Sequence, residues 1–168
     1  MLELTDMSEV WFVVSPQNPL KERRTLLADH HRLQMVQLAV DDNYGLRVCD
    51  AEMHLPVPSY TVVTLAHLAE RHPDKRFSII MGGDNLENFP RWRNWRQIIE
   101  GHHLYVYPRP GSECGALASH PHVHLVDVPM MDISSSYIRG LIAQGRSVRY
   151  MLTDPVYRYL TEMHFYEQ

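Results

Sequence analysis

The chain has 168 residues, a formal charge of −4, 45% hydrophobic and 21% charged residues, a balance that fits one soluble globular domain over 1–168. The acidic excess argues against a nucleic-acid binder, which needs a broad basic face, and no apolar run reaches the length of a membrane helix. Cys49 and Cys114 are too few and too far apart for a disulfide framework, and the acidic start is unlike a secretory leader, so the cytoplasm is the expected compartment.

Taken in order, Val10–Val14 is a continuous apolar, β-rich run that predicts a strand buried on both faces. Ser15 to Arg24 is a proline-punctuated loop, and a helix from about Asp29 carries Leu33, Val36, Ala39 and Val40 on one face. Leu46–Cys49 predicts the second strand. The prolines between His54 and Pro58 require extended chain, after which Ser59 can cap a helix with Val62, Leu65, Leu68 and Ala69 inward. Phe77–Met81 predicts another buried strand, broken at Gly82-Gly83, and the helix containing Trp95, Ile98 and Ile99 stops at Gly101. Leu104–Tyr107 and Val123–Val126 complete the strands, and Asp154-Pro155 starts a final helix. Alternating strands and helices predict an α/β fold with a mainly parallel sheet covered on both faces, whose ligands bind beyond the carboxyl ends of the strands.

Ile133-Ser134-Ser135-Ser136-Tyr137-Ile138-Arg139-Gly140 reads as a helix start suited to an anion. Serine hydroxyls cap the first turn, the free amides and the positive helix end favour negative charge, and the Arg139 guanidinium matches phosphate oxygens. An ordinary serine-capped helix with a surface arginine is the plainer reading of the same residues. Basic residues also gather at Lys21-Arg23-Arg24, Arg91-Arg93-Arg96 and Arg139-Arg146-Arg149, groupings that suit a small anionic ligand or a solvated helix face equally. His120, His122 and His124 alternate as metal ligands can, but no cysteine or carboxylate cluster accompanies them, so no metal site is expected.

Ile-Ser-Ser-Ser-x-Ile-Arg at 133–139 is similar to the Ile-Ser-Ser-Thr-x-Ile-Arg signature of the Rossmann-like nucleotidylyltransferases. Together with Ser15–Lys21, Pro58-Ser59-Tyr60-Thr61, Gly82-Gly83-Asp84 through Trp92, and Tyr107–Gly111, the chain resembles the bacterial nicotinate-nucleotide adenylyltransferases from about Glu9 to Tyr159. The resemblance implies transfer of the adenylyl group of MgATP to nicotinate mononucleotide, with deamido-NAD and pyrophosphate as products. It implies ATP contacts from Gly82, Gly83, Asp84, Arg109, Ser134, Ser135, Ser136, Ile138 and Arg139, with Lys21 and Arg139 facing the phosphates. It places Trp92 against the nicotinate ring and backbone groups near Thr61 and Arg93 at its carboxylate. Mg²⁺ would bridge phosphate oxygens, and the partners are small molecules, compatible with a homo-oligomer.

The residues themselves also allow plainer roles. Asp84 could accept from ribose hydroxyls or simply cap the turn after Gly82-Gly83, Trp92 could stack on a flat ligand or complete the core, and Lys21 could be a solvated lysine. One part of the resemblance is missing. The superfamily's opening strand, Gly-x-Phe-x-Pro-x-His-x-Gly-His loop and helix have no counterpart in these 168 residues. That strand would be central, so Val10–Val14 is expected to lose pairing partners and an apolar contact face. A truncated chain, a non-catalytic nucleotide-binding homologue, and an adenylyltransferase for another acceptor such as phosphopantetheine are the alternatives.

Overall fold

A computed structural model of the chain describes residues 1–16, 27–109, 111–112 and 114–167. Lys21, a residue that the resemblance brings to the phosphates, lies outside them. The described elements alternate as β1 (Val10–Val13), α1 (Asp29–Val40), β2 (Leu46–Cys49), α2 (Thr61–Arg71), β3 (Ile79–Gly82), α3 (Gly83–Asn88), α4 (Trp95–Gly101), β4 (Leu104–Tyr107), β5 (Val123–Leu125), α5 (Ser135–Ala143) and α6 (Asp154–Glu162).

Every strand pairing is parallel, as alternating strands and helices demand, but the strands form two groups rather than one sheet. In one, β1 pairs β2 with Val10 opposite Leu46 and Val13 opposite Cys49. In the other, β4 lies between β3 and β5, with Leu104 opposite both Ile79 and Val123. Among the described residues no strand pairs with the free edges of β1 and β3, and a cavity of about 1680 Å³ is lined by both strands.

This gap denies the first strand the burial on both faces that its apolar run predicts, and gives it the lost pairing partner and lost contact face expected where the opening strand has no counterpart. Its residues are only half-buried and Phe12 is 41% exposed, because part of their surface faces the cavity instead of a packed layer. The apolar face of α1 has the same fate. Met35, Val36 and Ala39 line the cavity, and only Val40 is buried. The main core sits instead on the three-stranded side, where Leu86, Phe89, Ile98, Leu104 and Val106 lose essentially all solvent contact.

Several boundaries depart from the expected ones: β1 ends at Val13, β3 starts at Ile79 and β5 ends at Leu125. Tyr60, not Ser59, is the N-cap of α2, and it supplies no side-chain cap; the chain arrives there through a cis Val57–Pro58 bond. Gly82 belongs to β3 and Gly83 opens the short helix α3, so the glycine pair is a strand-to-helix junction and not a break. Thr153 is the N-cap of α6, leaving Asp154 and Pro155 inside its first turn.

Near the start of the strands the two groups are tied by the segment leading into β1. Glu9 accepts from the Trp11 indole N–H at 2.7 Å and pairs with Arg47 of β2 at 3.0 Å and with Lys75, ahead of β3, at 3.3 Å. Asp6 accepts from the Tyr105 hydroxyl of β4 at 2.6 Å. Among the described residues no helix is long and apolar enough to cross a membrane.

Candidate active site

The serine-rich stretch folds as its sequence dictates. Ser134 is the N-cap of α5, and its Oγ accepts from the Tyr137 amide at 3.1 Å, which satisfies one of the orphan donors of the first turn. Ser135 faces the cavity. Ser136 lies one turn behind Arg139, whose guanidinium donates to its Oγ at 3.0 Å and lies 5.8 Å from the centre of the Tyr166 ring. Ser135, Arg139 and Tyr166 all line the cavity. Burial pushes the Tyr166 hydroxyl up from its ordinary range while the charges of Arg139 and Arg32 oppose that shift. Ile138 points the other way, packing against the cluster of Leu141, Ile142 and Leu160 that anchors α5 to α6.

The opposite wall is built around the start of α2. Thr61 and Thr64 line the cavity there together with Trp92, whose ring also packs on the main core and lies 5.2 Å from Phe89. The Trp92 indole N–H is buried without an acceptor among the described residues. Arg93 is exposed and lies over Tyr60, with its guanidinium 4.6 Å from the ring centre, which fixes the Trp92 loop against the mouth of α2. Thr64 donates to Glu52 Oε1 at 2.6 Å, and the second Glu52 oxygen has no partner among the described residues.

A third group collects at the carboxyl ends of β3 and β4. Arg109 lies 3.5 Å from Asp84 and donates to the Tyr107 hydroxyl at 3.4 Å, so the two motifs predicted separately meet in one ion pair. Both side chains are about half exposed. The glycines serve close packing here. A methyl group on Gly82 would come within 2.5 Å of Asp84 Oδ1, and one on Gly83 within 2.5 Å of Ser112 Oγ. The tightness at both glycines is thus with the protein's own loop. Of this group only Tyr107 reaches the cavity wall, so Gly82, Gly83, Asp84 and Arg109 form a ledge beside it.

The histidine run is folded into local contacts. His122 donates to the Ile99 carbonyl at 2.6 Å, and His103 and His124 share one hydrogen bond at 2.8 Å. Among the described residues no three His, Cys, Asp or Glu side chains converge as a metal site.

Residues 1–141 match the cytidylyltransferase-like family model. A probable nicotinate-nucleotide adenylyltransferase of Flavobacterium johnsoniae is 45% identical over 170 residues, covering 100% of this chain and 88% of that protein. The chain belongs to the nicotinate-nucleotide adenylyltransferase family. A Cytophaga hutchinsonii member is 43% identical, with 99% of this chain and 86% of the relative covered. The fold is shared with the Plasmodium falciparum nicotinic acid mononucleotide adenylyltransferase complexed with NaAD, at 19% identity and a TM-score of 0.76, over 95% of this chain and 82% of that one.

Among the cavity residues outside the predicted set, Arg32 and Glu52 carry charge into its wall. Arg32 is mostly buried, held by the Ser15 carbonyl at 2.8 Å and by Asp29 at 2.6 Å, and it adds a second guanidinium to the wall that carries Arg139. Glu52 is 6% exposed in a short helical turn just after β2. Its place beyond the carboxyl end of a strand was the available signal, because such positions line ligand sites in parallel sheets.

Proposed function

We propose that the protein transfers the adenylyl group of MgATP to nicotinate mononucleotide, forming deamido-NAD and pyrophosphate. The observation that carries this reading is one cavity that has the serine-capped start of α5 with Arg139 on one wall and Thr61 with Trp92 on another. The first wall suits a polyphosphate and the second a flat ring bearing a carboxylate.

The reaction needs little covalent work from the protein. A phosphate oxygen of nicotinate mononucleotide attacks the α-phosphorus of ATP, the bond to the β-phosphate bridging oxygen breaks, and pyrophosphate leaves with that electron pair. Rate comes from holding the two phosphates in line and from fixed positive charge on the phosphate oxygens. Arg139 and the free amides of α5 would supply that charge, with Arg32 behind them and Lys21 added as the resemblance implies. Asp84 and Arg109 on the adjoining ledge are assigned to the adenosine half. Mg²⁺ enters as part of the nucleotide substrate and neutralises charge between phosphate oxygens. Soluble small-molecule substrates and two unpaired cysteines fit action in the cytoplasm.

The test is a coupled assay of the 168-residue chain with MgATP, following deamido-NAD by chromatography and pyrophosphate by enzymatic release of phosphate. Formation of both in equal amounts is expected with nicotinate mononucleotide and not with phosphopantetheine. Nucleotide binding without product would overturn the reading in favour of a module that binds and does not turn over.

A further inference from the structure

Among the buried side-chain polar atoms that lack a hydrogen-bond partner within the described residues, two belong to residues on the cavity wall: Glu52 Oε2 and Trp92 Nε1. The carboxyl group is the more demanding of the two. A buried carboxylate oxygen without a partner costs several times what a neutral group costs, and it is retained where something else completes it. Its other oxygen is already fixed by Thr64, one helical turn beyond Thr61, so the free oxygen cannot swing away to solvent without breaking a 2.6 Å bond. Lys and Arg side chains approach neighbouring groups, Arg93 over Tyr60 and Arg32 at Asp29, and Glu52 forms no ion pair among the described residues.

We infer that Glu52 is a specificity residue of this site, the anionic partner of a positively charged heteroaromatic ring. This rests on the acceptor proposed above, whose ring nitrogen is cationic because it carries the ribose. The ring then meets two complementary poles. The start of α2, an eleven-residue helix with no side-chain cap, offers amides and the positive dipole end to the ring's carboxylate. Glu52, tied to that helix through Thr64, offers negative charge to the ring nitrogen, and Trp92 presents its face to the cation between them. A ring bound the other way round would put carboxylate against carboxylate, so Glu52 also sets its orientation. An acceptor with a neutral ring gains nothing from Glu52.

Calorimetric titration of the full chain tests this with three probes: nicotinate mononucleotide, its 1,4-dihydropyridine form with an uncharged ring, and ATP. Glu52→Gln keeps an acceptor for Thr64 and removes only the charge. It should weaken nicotinate mononucleotide roughly tenfold or more, as expected for loss of one charge contact in a dry site, while the dihydro form and ATP bind as before. Thr64→Val, which unties the carboxylate without removing it, should weaken the cationic ring selectively and more mildly, and Glu52→Asp should recover part of the loss. Equal weakening of both ring forms, or unchanged affinity for nicotinate mononucleotide, overturns the inference while the proposed acceptor stands. Should the unaltered chain bind neither ring form, the proposed acceptor falls and the role of Glu52 with it.

Discussion

Ser134 and Ser135 are neighbours in sequence with different work to do. Ser134 Oγ is spent on the Tyr137 amide, whereas Ser135 faces the cavity. Ser134→Ala should therefore cost about 1 kcal/mol of stability, a fall in melting temperature of roughly 2–4 °C for a chain of this size, with little change in KM for ATP. Ser135→Ala should show the reverse, a raised KM for ATP at nearly constant melting temperature. Thermal melts and steady-state kinetics on the two variants decide it. Trp92 both packs on the main core and lines the cavity. Trp92→Ala should raise KM for nicotinate mononucleotide tenfold or so, since stacking on an aromatic side chain contributes about 1–3 kcal/mol, and leave KM for ATP nearly unchanged. It should also lower stability, because the indole packs on Phe89 and the main core; Trp92→Phe should recover most of the stability and only part of the affinity. Ser134 and Arg139 were legible in the sequence because a cap is a local interaction, settled within four residues. Glu52 was not, because its partner Thr64 is twelve residues away and no short motif joins them. Asp84 and Arg109 were legible as separate motifs, but their pairing depends on the register of β3 against β4.

Strand and helix positions followed from apolar runs and turn residues; α1 starts where expected, and β2 and β4 have the boundaries expected of them. The short helix α3 escaped because Gly82-Gly83 reads as a break. Tertiary packing reverses that reading: Leu86 at 1% exposure pulls the segment after the glycines into the core, and a Cβ at either glycine would press on a side chain, Asp84 at one and Ser112 at the other. The tie between the two strand groups was likewise invisible, since Glu9, Arg47 and Lys75 are distant in sequence. Three donors on Glu9, the Trp11 indole first and Lys75 and Arg47 after it, hold its carboxyl below the usual carboxylate range. A carboxyl lowered in the folded state contributes stability above its ordinary value of about 4.3, and that contribution is lost as pH falls through the depressed folded value. Glu9→Gln should thus melt lower than the unaltered chain near neutral pH, by an amount set by about 1 kcal/mol for partly exposed pairs. The two melting curves should converge as pH drops below about 4. A gap that persisted or widened in acid would show that the Glu9 ion pairs are not the cause.

At the scale of the molecule, the decisive feature is that strand-forming positions, Val10–Val14 and Ile79 with its neighbours among them, border open space rather than each other. In a parallel strand successive residues alternate the side to which their amide points. The Val10 amide donates to Gly45 and the Val14 amide to Cys49, so the even-numbered positions of β1 face β2 and the amides of Trp11 and Val13 face the cavity. By the same alternation Ile79 donates to His103, which turns the Ile80 amide to the cavity from the other side. An open sheet edge carries this cost for every second residue, and the surrounding apolar side chains offer no compensation. Hydrogen exchange followed by nuclear magnetic resonance should show the pattern directly. Trp11, Val13 and Ile80 should exchange orders of magnitude faster than Val10, Phe12 and Ile79, in a period-two pattern along strands that are otherwise ordered. Ligands that occupy the α5 wall and the Trp92 wall together should slow exchange throughout β1 and β3, because both walls belong to the same cavity as those edges and bound substrate stabilises only the state in which they hold it. Uniform protection of both strands without ligand would mean that the edges are paired in solution and that the cavity between them is closed.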